Sequence, residues 1–160
     1  MRTAQVRVVD QETLLSDSIK LHSLDLAKMK RSEQDFSATF EIKASRDSSR
    51  CTCIVLWFDT EFSSRFCSSS PQVLTTSPYS KPTHWAQTVL PLSEHVLIES
   101  EKNANRECIV AFKGRVSISR QKEMHRTLDI SLEYAPVLKD GQVMTMKTQL
   151  YSIGVNENHS

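Results

Sequence analysis

Leu128-Asp129-Ile130-Ser131-Leu132-Glu133-Tyr134 is the stretch on which the fold class turns, because its apolar residues recur at every second position. Successive side chains of a strand point to opposite faces. This spacing therefore gathers Leu128, Ile130, Leu132 and Tyr134 on one face and sends Asp129, Ser131 and Glu133 to the other, as in a strand with one buried face. On the N-terminal side, Ile109-Val110-Ala111-Phe112 runs on through Val116 and Ile118, and on the C-terminal side residues 144–153 read as a further strand. The segments between them, Gln121-Lys122-Glu123-Met124-His125-Arg126 and Lys139-Asp140-Gly141-Gln142, are short, and the second carries the Asp-Gly hairpin signal. The three strands are expected to lie side by side and antiparallel.

The same period recurs upstream. Ala4, Val6 and Val8 alternate with Gln5 and Arg7, and Phe36, Ala38, Phe40 and Ile42 alternate with Ser37, Thr39 and Glu41. Residues 10–15 read as a capped helical turn, and residues 26–33 as a second short helix. Residues 51–62 are nearly continuous in apolar and β-favouring types, so Ile54-Val55-Leu56-Trp57-Phe58 is expected to be a central strand covered on both faces, in the middle of the core. A Ser-rich connection over 63–70, strands over 73–76 and 87–92, an apolar stretch at 96–98 and a charged loop over 99–107 complete the pattern. About eight to ten short strands with one or two short helices point to an all-β fold, an antiparallel β-barrel or barrel-like sandwich.

Composition narrows the function classes. At 160 residues the chain suits one domain, and 20 basic against 19 acidic residues argue against a direct nucleic-acid partner or an anionic membrane surface. The run Lys28-Met29-Lys30-Arg31 is short and flanked by acids. No apolar segment approaches the roughly 20 residues that span a bilayer, and the N-terminus lacks a secretory pattern, so a soluble intracellular protein is expected. Cys51, Cys53, Cys67 and Cys108 are expected to be reduced, buried small hydrophobes, with no zinc spacing among them and no metal site. Three glycines in the whole chain leave no glycine-rich phosphate loop.

The chemistry-bearing stretch is Ser77-Pro78-Tyr79-Ser80-Lys81-Pro82-Thr83-His84-Trp85-Ala86-Gln87-Thr88. Its prolines fix the backbone and remove donors, which makes it a stiff loop that displays His84 and Trp85. An idle surface histidine and a tryptophan anchored in the core are the competing readings. A Ser-His-Asp arrangement can be drawn from His84, Asp59 and the hydroxyls of Thr75, Thr76, Ser77 and Thr83, but no nucleophile turn or oxyanion-hole glycine accompanies it. Asp59 and Glu61 share a strand face and read as exposed charges rather than an acid/base couple.

Thr75-Thr76-Ser77-Pro78 followed by Thr83-His84-Trp85-Ala86-Gln87-Thr88 resembles the signature loop of protein arginine N-methyltransferases. The resemblance extends through Val8-Val9-Asp10, Leu24-Asp25-Leu26, Asp35-Phe36, Leu56-Trp57-Phe58-Asp59-Thr60-Glu61-Phe62 and Leu128-Asp129-Ile130-Ser131-Leu132, roughly residues 6–134. Trp57-Phe58-Asp59 and Ser64-Arg65-Phe66-Cys67 are most similar to the plant type-3 branch. The resemblance implies that residues 1–155 are the C-terminal β-barrel domain and 156–160 a tail, with the cofactor domain and dimerisation arm absent. It implies that His84 supports the active site by bonding an acidic residue of the cofactor domain, that Trp85 walls the arginine channel and that Thr83 holds the loop. S-adenosylmethionine would serve the complete enzyme, with none bound by this chain. Partners would be arginine-containing proteins, such as histones or RNA-binding proteins, and the family's cofactor domain, in the cytoplasm and also the nucleus. The alternative is a non-enzymatic interaction module that modulates a full-length methyltransferase.

Overall fold

Hydrophobic alternation becomes ten strands and two 3₁₀ turns in the computed structural model, which describes residues 2–154 except 123 and 125. In chain order the strands are β1 (Arg2–Thr3), β2 (Gln5–Arg7), β3 (Phe36–Lys43), β4 (Ser49–Leu56), β5 (Asp59–Phe62), β6 (Gln72–Thr75), β7 (Gln87–Ile98), β8 (Ile109–Arg120), β9 (Leu128–Leu138) and β10 (Lys147–Ile153). They form a five-stranded sheet of order β1-β10-β9-β8-β3, a three-stranded sheet β2-β7-β4 and the hairpin β5-β6. The all-β antiparallel expectation holds: β2 with β7, β3 with β8, β5 with β6, β8 with β9 and β9 with β10 all pair antiparallel, while the two-residue β1 runs parallel to β10. The chain divides into two units, one built from Leu15–Thr52 and the chain from Leu92 onward with residues 2 and 3, the other from Ala4–Leu14 and Cys53–Pro91.

In the first unit β9 is the middle strand of the large sheet, and its alternation is realised in the register. Tyr134 lies opposite Gly114 of β8 and Lys147 of β10, and Leu132 lies opposite Val116 and Gln149. Leu132, Tyr134 and Tyr151 are fully buried, with Phe112 edge-on to Tyr134 at 6.1 Å. A buried phenol needs a partner, and Tyr134 donates to Gln149 Oε1 (3.0 Å), which also accepts from the Ser93 N–H (2.9 Å). On the opposite face of the sheet Lys113 pairs with Glu41 (3.4 Å) and the Ser37 and Ser117 hydroxyls meet at 2.8 Å.

Several expectations need correction. The stretch 51–62 is not one central strand: it breaks at Trp57-Phe58 into β4 and β5, and Phe58 is half-exposed. The twelve-residue β7, which continues through Pro91 to Ile98 instead of stopping at Leu92, takes the middle of the three-stranded sheet and leaves β4 at its edge. The helix expected over 26–33 is replaced by a turn capped by the Asp25 carboxylate, which accepts from the Ala27 N–H (3.1 Å), and by a 3₁₀ turn at Arg31–Gln34. That segment has no apolar stripe to bury, and Leu26 is exposed, so nothing stabilises a longer helix. Val6 and Val8 are exposed despite their alternation. The helical turn expected at 10–15 is present as a 3₁₀ turn at Gln11–Thr13, with Asp10 capping Glu12 N–H at 2.9 Å. β10 begins at Lys147, three residues later than expected, because the Asp140-Gly141 turn, with Gly141 at φ 90°, is followed by a single bridge from Val143 to Val137 before the ladder starts. The 121–126 connection falls partly on residues 123 and 125, and the proposed tail 156–160 wholly, outside the described residues.

The charged loop over 99–107 is tied down more than its composition suggests. Asp47 accepts from the Ser100 hydroxyl and from Asn103 Nδ2 (2.5 Å), and Lys139 Nζ donates to the Ala104 carbonyl (2.6 Å). Ala104 is thereby buried with Val110, Ala111 and Val137.

Two expectations follow. A Cβ at Gly114 would lie 2.0 Å from the Glu133 carbonyl oxygen and 2.8 Å from the Phe40 ring. Gly114→Ala should therefore cost about 3 kcal/mol or more in urea unfolding, whereas Gly141→Ala, which meets nothing within 4 Å and pays only for its positive φ, should cost about 1 kcal/mol; equal losses would contradict this account. The Ser100 hydroxyl, and less strongly the Asn103 amide, hold the Asp47 carboxyl below its ordinary 3.8. A depressed carboxylate contributes stability that is present above its unfolded-state value and lost as pH falls through the folded value. Asp47→Asn should flatten this acid limb of the unfolding midpoint below about pH 4, as followed by circular dichroism, and an unchanged limb would rule the contribution out.

Candidate functional site

The site is the loop over residues 76–86, between β6 and β7 in the second unit. Its entry is fixed by Thr76, which is buried: its hydroxyl donates to the Phe58 carbonyl (2.8 Å) and accepts from the Phe58 N–H (3.1 Å). Its exit is fixed by Gln87, the first residue of β7 and also buried. The Gln87 amide donates to the Thr76 carbonyl at 2.7 Å, and its Oε1 accepts from the Val9 N–H at 2.7 Å. One carboxamide thus ties loop entry, loop exit and the N-terminal segment, and its burial is compensated at both polar atoms.

Between these anchors the loop is held by its own hydroxyls. Ser77 Oγ accepts from the Tyr79 N–H (3.2 Å), and the Ser77 carbonyl accepts from the Ser80 hydroxyl (2.9 Å). Thr83 Oγ1 accepts from the Trp85 N–H (3.2 Å) and donates to the Trp85 carbonyl (2.9 Å), a local side-chain turn that sets the backbone under His84 and Trp85. The two rings meet edge-on at 5.8 Å, and Trp85 remains 50% exposed. The display reading of His84 and Trp85 is thus the one the geometry favours over a core anchor. His84 has no hydrogen-bond partner among the described residues, so its imidazole is open to a group from outside them.

The Ser-His-Asp arrangement is not assembled. Asp59 is engaged by Thr75, whose hydroxyl donates to Oδ1 at 2.5 Å, and Thr83 and Ser77 are committed to backbone groups. Asp59 and Glu61 do share one hairpin face, both exposed, as expected of surface charges. The four cysteines are free thiols, but only Cys51 is buried as expected, Cys53, Cys67 and Cys108 being partly exposed, and no cluster of three or more metal-ligating side chains occurs among the described residues. Two 3₁₀ turns are the only helical elements among the described residues. No helix among the described residues is long and apolar enough to cross a membrane. The residues missed by sequence reasoning are Thr76 and Gln87 as anchors and the Trp57–Tyr79 edge contact at 6.4 Å. Gln87 stood inside the quoted motif, and a polar residue opening an apolar strand was the available signal.

The profile of the family described as "Arginine methyltransferase oligomerization subdomain" matches residues 1–138, which include the whole loop. Among curated relatives, "Probable protein arginine N-methyltransferase 3" of Oryza sativa subsp. indica is 36% identical over 92% of this chain and 26% of its own length. The protein of the same name from Arabidopsis thaliana is 38% identical over 92% of this chain and 27% of its own length. The chain thus spans about a quarter of these relatives. Among solved structures, Arabidopsis thaliana protein arginine methyltransferase 10 superposes with a TM-score of 0.82 at 20% identity, covering 95% of this chain and 42% of that one, a likeness of fold. A Trypanosoma brucei PRMT1 enzyme-prozyme heterotetrameric complex with AdoHcy aligns with a TM-score of 0.78 at 24% identity, over 94% of this chain and 44% of that one. Because the family profile accounts for everything from the N-terminal strands to the end of β9, this chain belongs to the arginine methyltransferase family, as its oligomerization subdomain.

Proposed function

We propose that this chain is the substrate-side β-barrel portion, residues 1–155 with a tail at 156–160, of an S-adenosylmethionine-dependent protein arginine N-methyltransferase. The observation that carries the proposal is a loop within the family match that is fastened at both ends by Thr76 and Gln87 and internally by Thr83, yet leaves His84 and Trp85 exposed. Methyl transfer to a guanidinium needs its reacting atoms held in line, and a rigid wall on the acceptor side supplies that positioning. Trp85 offers an indole face to the guanidinium, a favourable cation–π geometry. His84 offers an imidazole to a carboxylate outside this chain and thereby clamps the loop against it. Thr83 holds the backbone between them. Binding of the methyl donor, S-adenosylmethionine, falls to the cofactor domain of a longer enzyme. Arginine-containing proteins, histones or RNA-binding proteins among them, are the substrates, encountered in the cytoplasm and nucleus.

One observation favours a second reading. The matched family is described by oligomerization, and a structural neighbour is named as a heterotetrameric complex. An association module that binds a full-length methyltransferase without chemistry of its own predicts co-sedimentation of this chain with such an enzyme and a change in that enzyme's turnover.

The test is to replace the matching quarter of the rice relative with this chain and to follow methylation of an arginine peptide. The chimera is expected to methylate, and His84→Ala within it to lower turnover at least about tenfold with less than about 1 kcal/mol lost from its stability. A folded chimera that retains S-adenosylhomocysteine binding but never methylates would overturn the enzymatic reading.

A further inference from the structure

Arg31-Ser32-Glu33-Gln34-Asp35, the turn that leads into β3, holds a hydroxyl that neither the fold nor the loop over residues 76–86 uses. Among the serines and threonines of the sequence, only Ser32 is followed by carboxylates at both the first and the third position after it. Ser32 is exposed, and its hydroxyl has no hydrogen-bond partner among the described residues. The other hydroxyl residues that directly precede an acid are held by the fold. Ser16 bridges Ala44, Thr60 lies in β5, Ser93 lies in β7, and Ser100 is buried and donates to Asp47. Around Ser32 the two carboxylates brace the turn, Glu33 Oε2 accepting from the Lys30 N–H (2.5 Å) and Asp35 Oδ1 from the Arg120 N–H (3.0 Å). No residue of the turn is buried. A single turn without an apolar face opens locally at low cost, so little beyond those two bonds keeps this segment from becoming extended.

We propose that Ser32 is a phosphorylation site for an acid-directed protein kinase. Such a kinase reads its substrate with cations of its own cleft, which pair with carboxylates at set positions after the acceptor hydroxyl. Glu33 and Asp35 supply those carboxylates, and opening of the turn releases both from the backbone. In the transfer, the bond from the γ-phosphorus of a nucleoside triphosphate to its bridging oxygen breaks and the nucleoside diphosphate leaves. The new bond forms to Ser32 Oγ, and the hydroxyl proton passes to the kinase's base. Residues 25–35 carry three cations, Lys28, Lys30 and Arg31, against three carboxylates, Asp25, Glu33 and Asp35. A phosphate of about −2 therefore turns a segment of balanced charge into an acidic one. Lys30 and Arg31, directly before Ser32, offer that phosphate charge-assisted hydrogen bonds. The proposal does not depend on the arginine methyltransferase reading.

The experiment incubates the 160-residue chain with casein kinase 2, ATP and magnesium, and follows incorporated phosphate by intact mass and peptide mapping. One phosphate is expected, on Ser32, and none on Ser32→Ala. Asp35→Asn keeps an acceptor oxygen for the Arg120 N–H and removes only the charge. It should leave the circular dichroism spectrum unchanged and slow the transfer at least about tenfold, the loss of one charge-assisted contact to the kinase. A peptide of residues 25–38 gives the rate for the same sequence outside the fold. Phosphate on the peptide but not on the folded chain would overturn the site by showing that the turn stays closed. Phosphate on neither, or on a different residue, would overturn it as well. An unchanged rate in Asp35→Asn would remove the carboxylate recognition on which the proposal rests.

Discussion

The antiparallel ladder between β8 and β9 is the constraint on which the first unit depends, and it closes only because residue 114 lacks a side chain. The carbonyl of Glu133 occupies the volume where any Cβ at position 114 would sit, and the Phe40 ring fills the remaining space from β3. Close backbone approach at that one point brings β3, β8 and β9 into a continuous surface, against which Leu132, Tyr134 and Val116 are withdrawn from water. Each fully buried side chain of this size contributes about 1.5–3 kcal/mol. The Tyr134–Gln149–Ser93 contacts then satisfy the polar atoms that such burial would otherwise strand.

The second unit applies the same logic to a loop. Residues 76–86 leave their large aromatics, Tyr79 and Trp85, half-exposed, so much of their order comes from hydrogen bonds, those at the loop base shielded from water. Gln87 and Thr76 are shielded and fully used. Thr83 is exposed and acts locally, on one turn of backbone. The result is a graded structure, rigid at its base and open at His84 and Trp85, which fits groups that work on something outside the chain better than groups that work on each other. The absence of any hydrogen bond between His84 and Asp59 or Ser77 among the described residues follows from this arrangement, since those groups are spent on the hairpin and on the loop backbone.

The loop over residues 76–86 and the β5–β6 hairpin are where the second unit leaves large aromatic side chains in contact with water. These side chains stay exposed at a cost in apolar surface, with Trp85, Tyr79 and Phe58 each about half open to water.

By itself the sequence determined the strand inventory and the family: period-two alternation at 36–42 and 128–134 survives any tertiary arrangement because it is a property of the extended backbone, and the Thr83-His84-Trp85 loop is defined by its prolines and hydroxyls. It misplaced residues 51–62, because a run of apolar residues reads as a buried central strand whether or not neighbours exist to cover it. Only the tertiary structure decided that β7 would occupy that centre, that Val6 and Val8 would stay exposed and that residues 26–33 would not complete a helix. It also decided the partners of Gln87 and Thr76, which stand 11 residues apart, and those of Asp59 and Thr75, 16 apart. Local spacing specifies what a side chain can do; which group it meets depends on chain closure, a sum of weak long-range terms that no window of sequence contains.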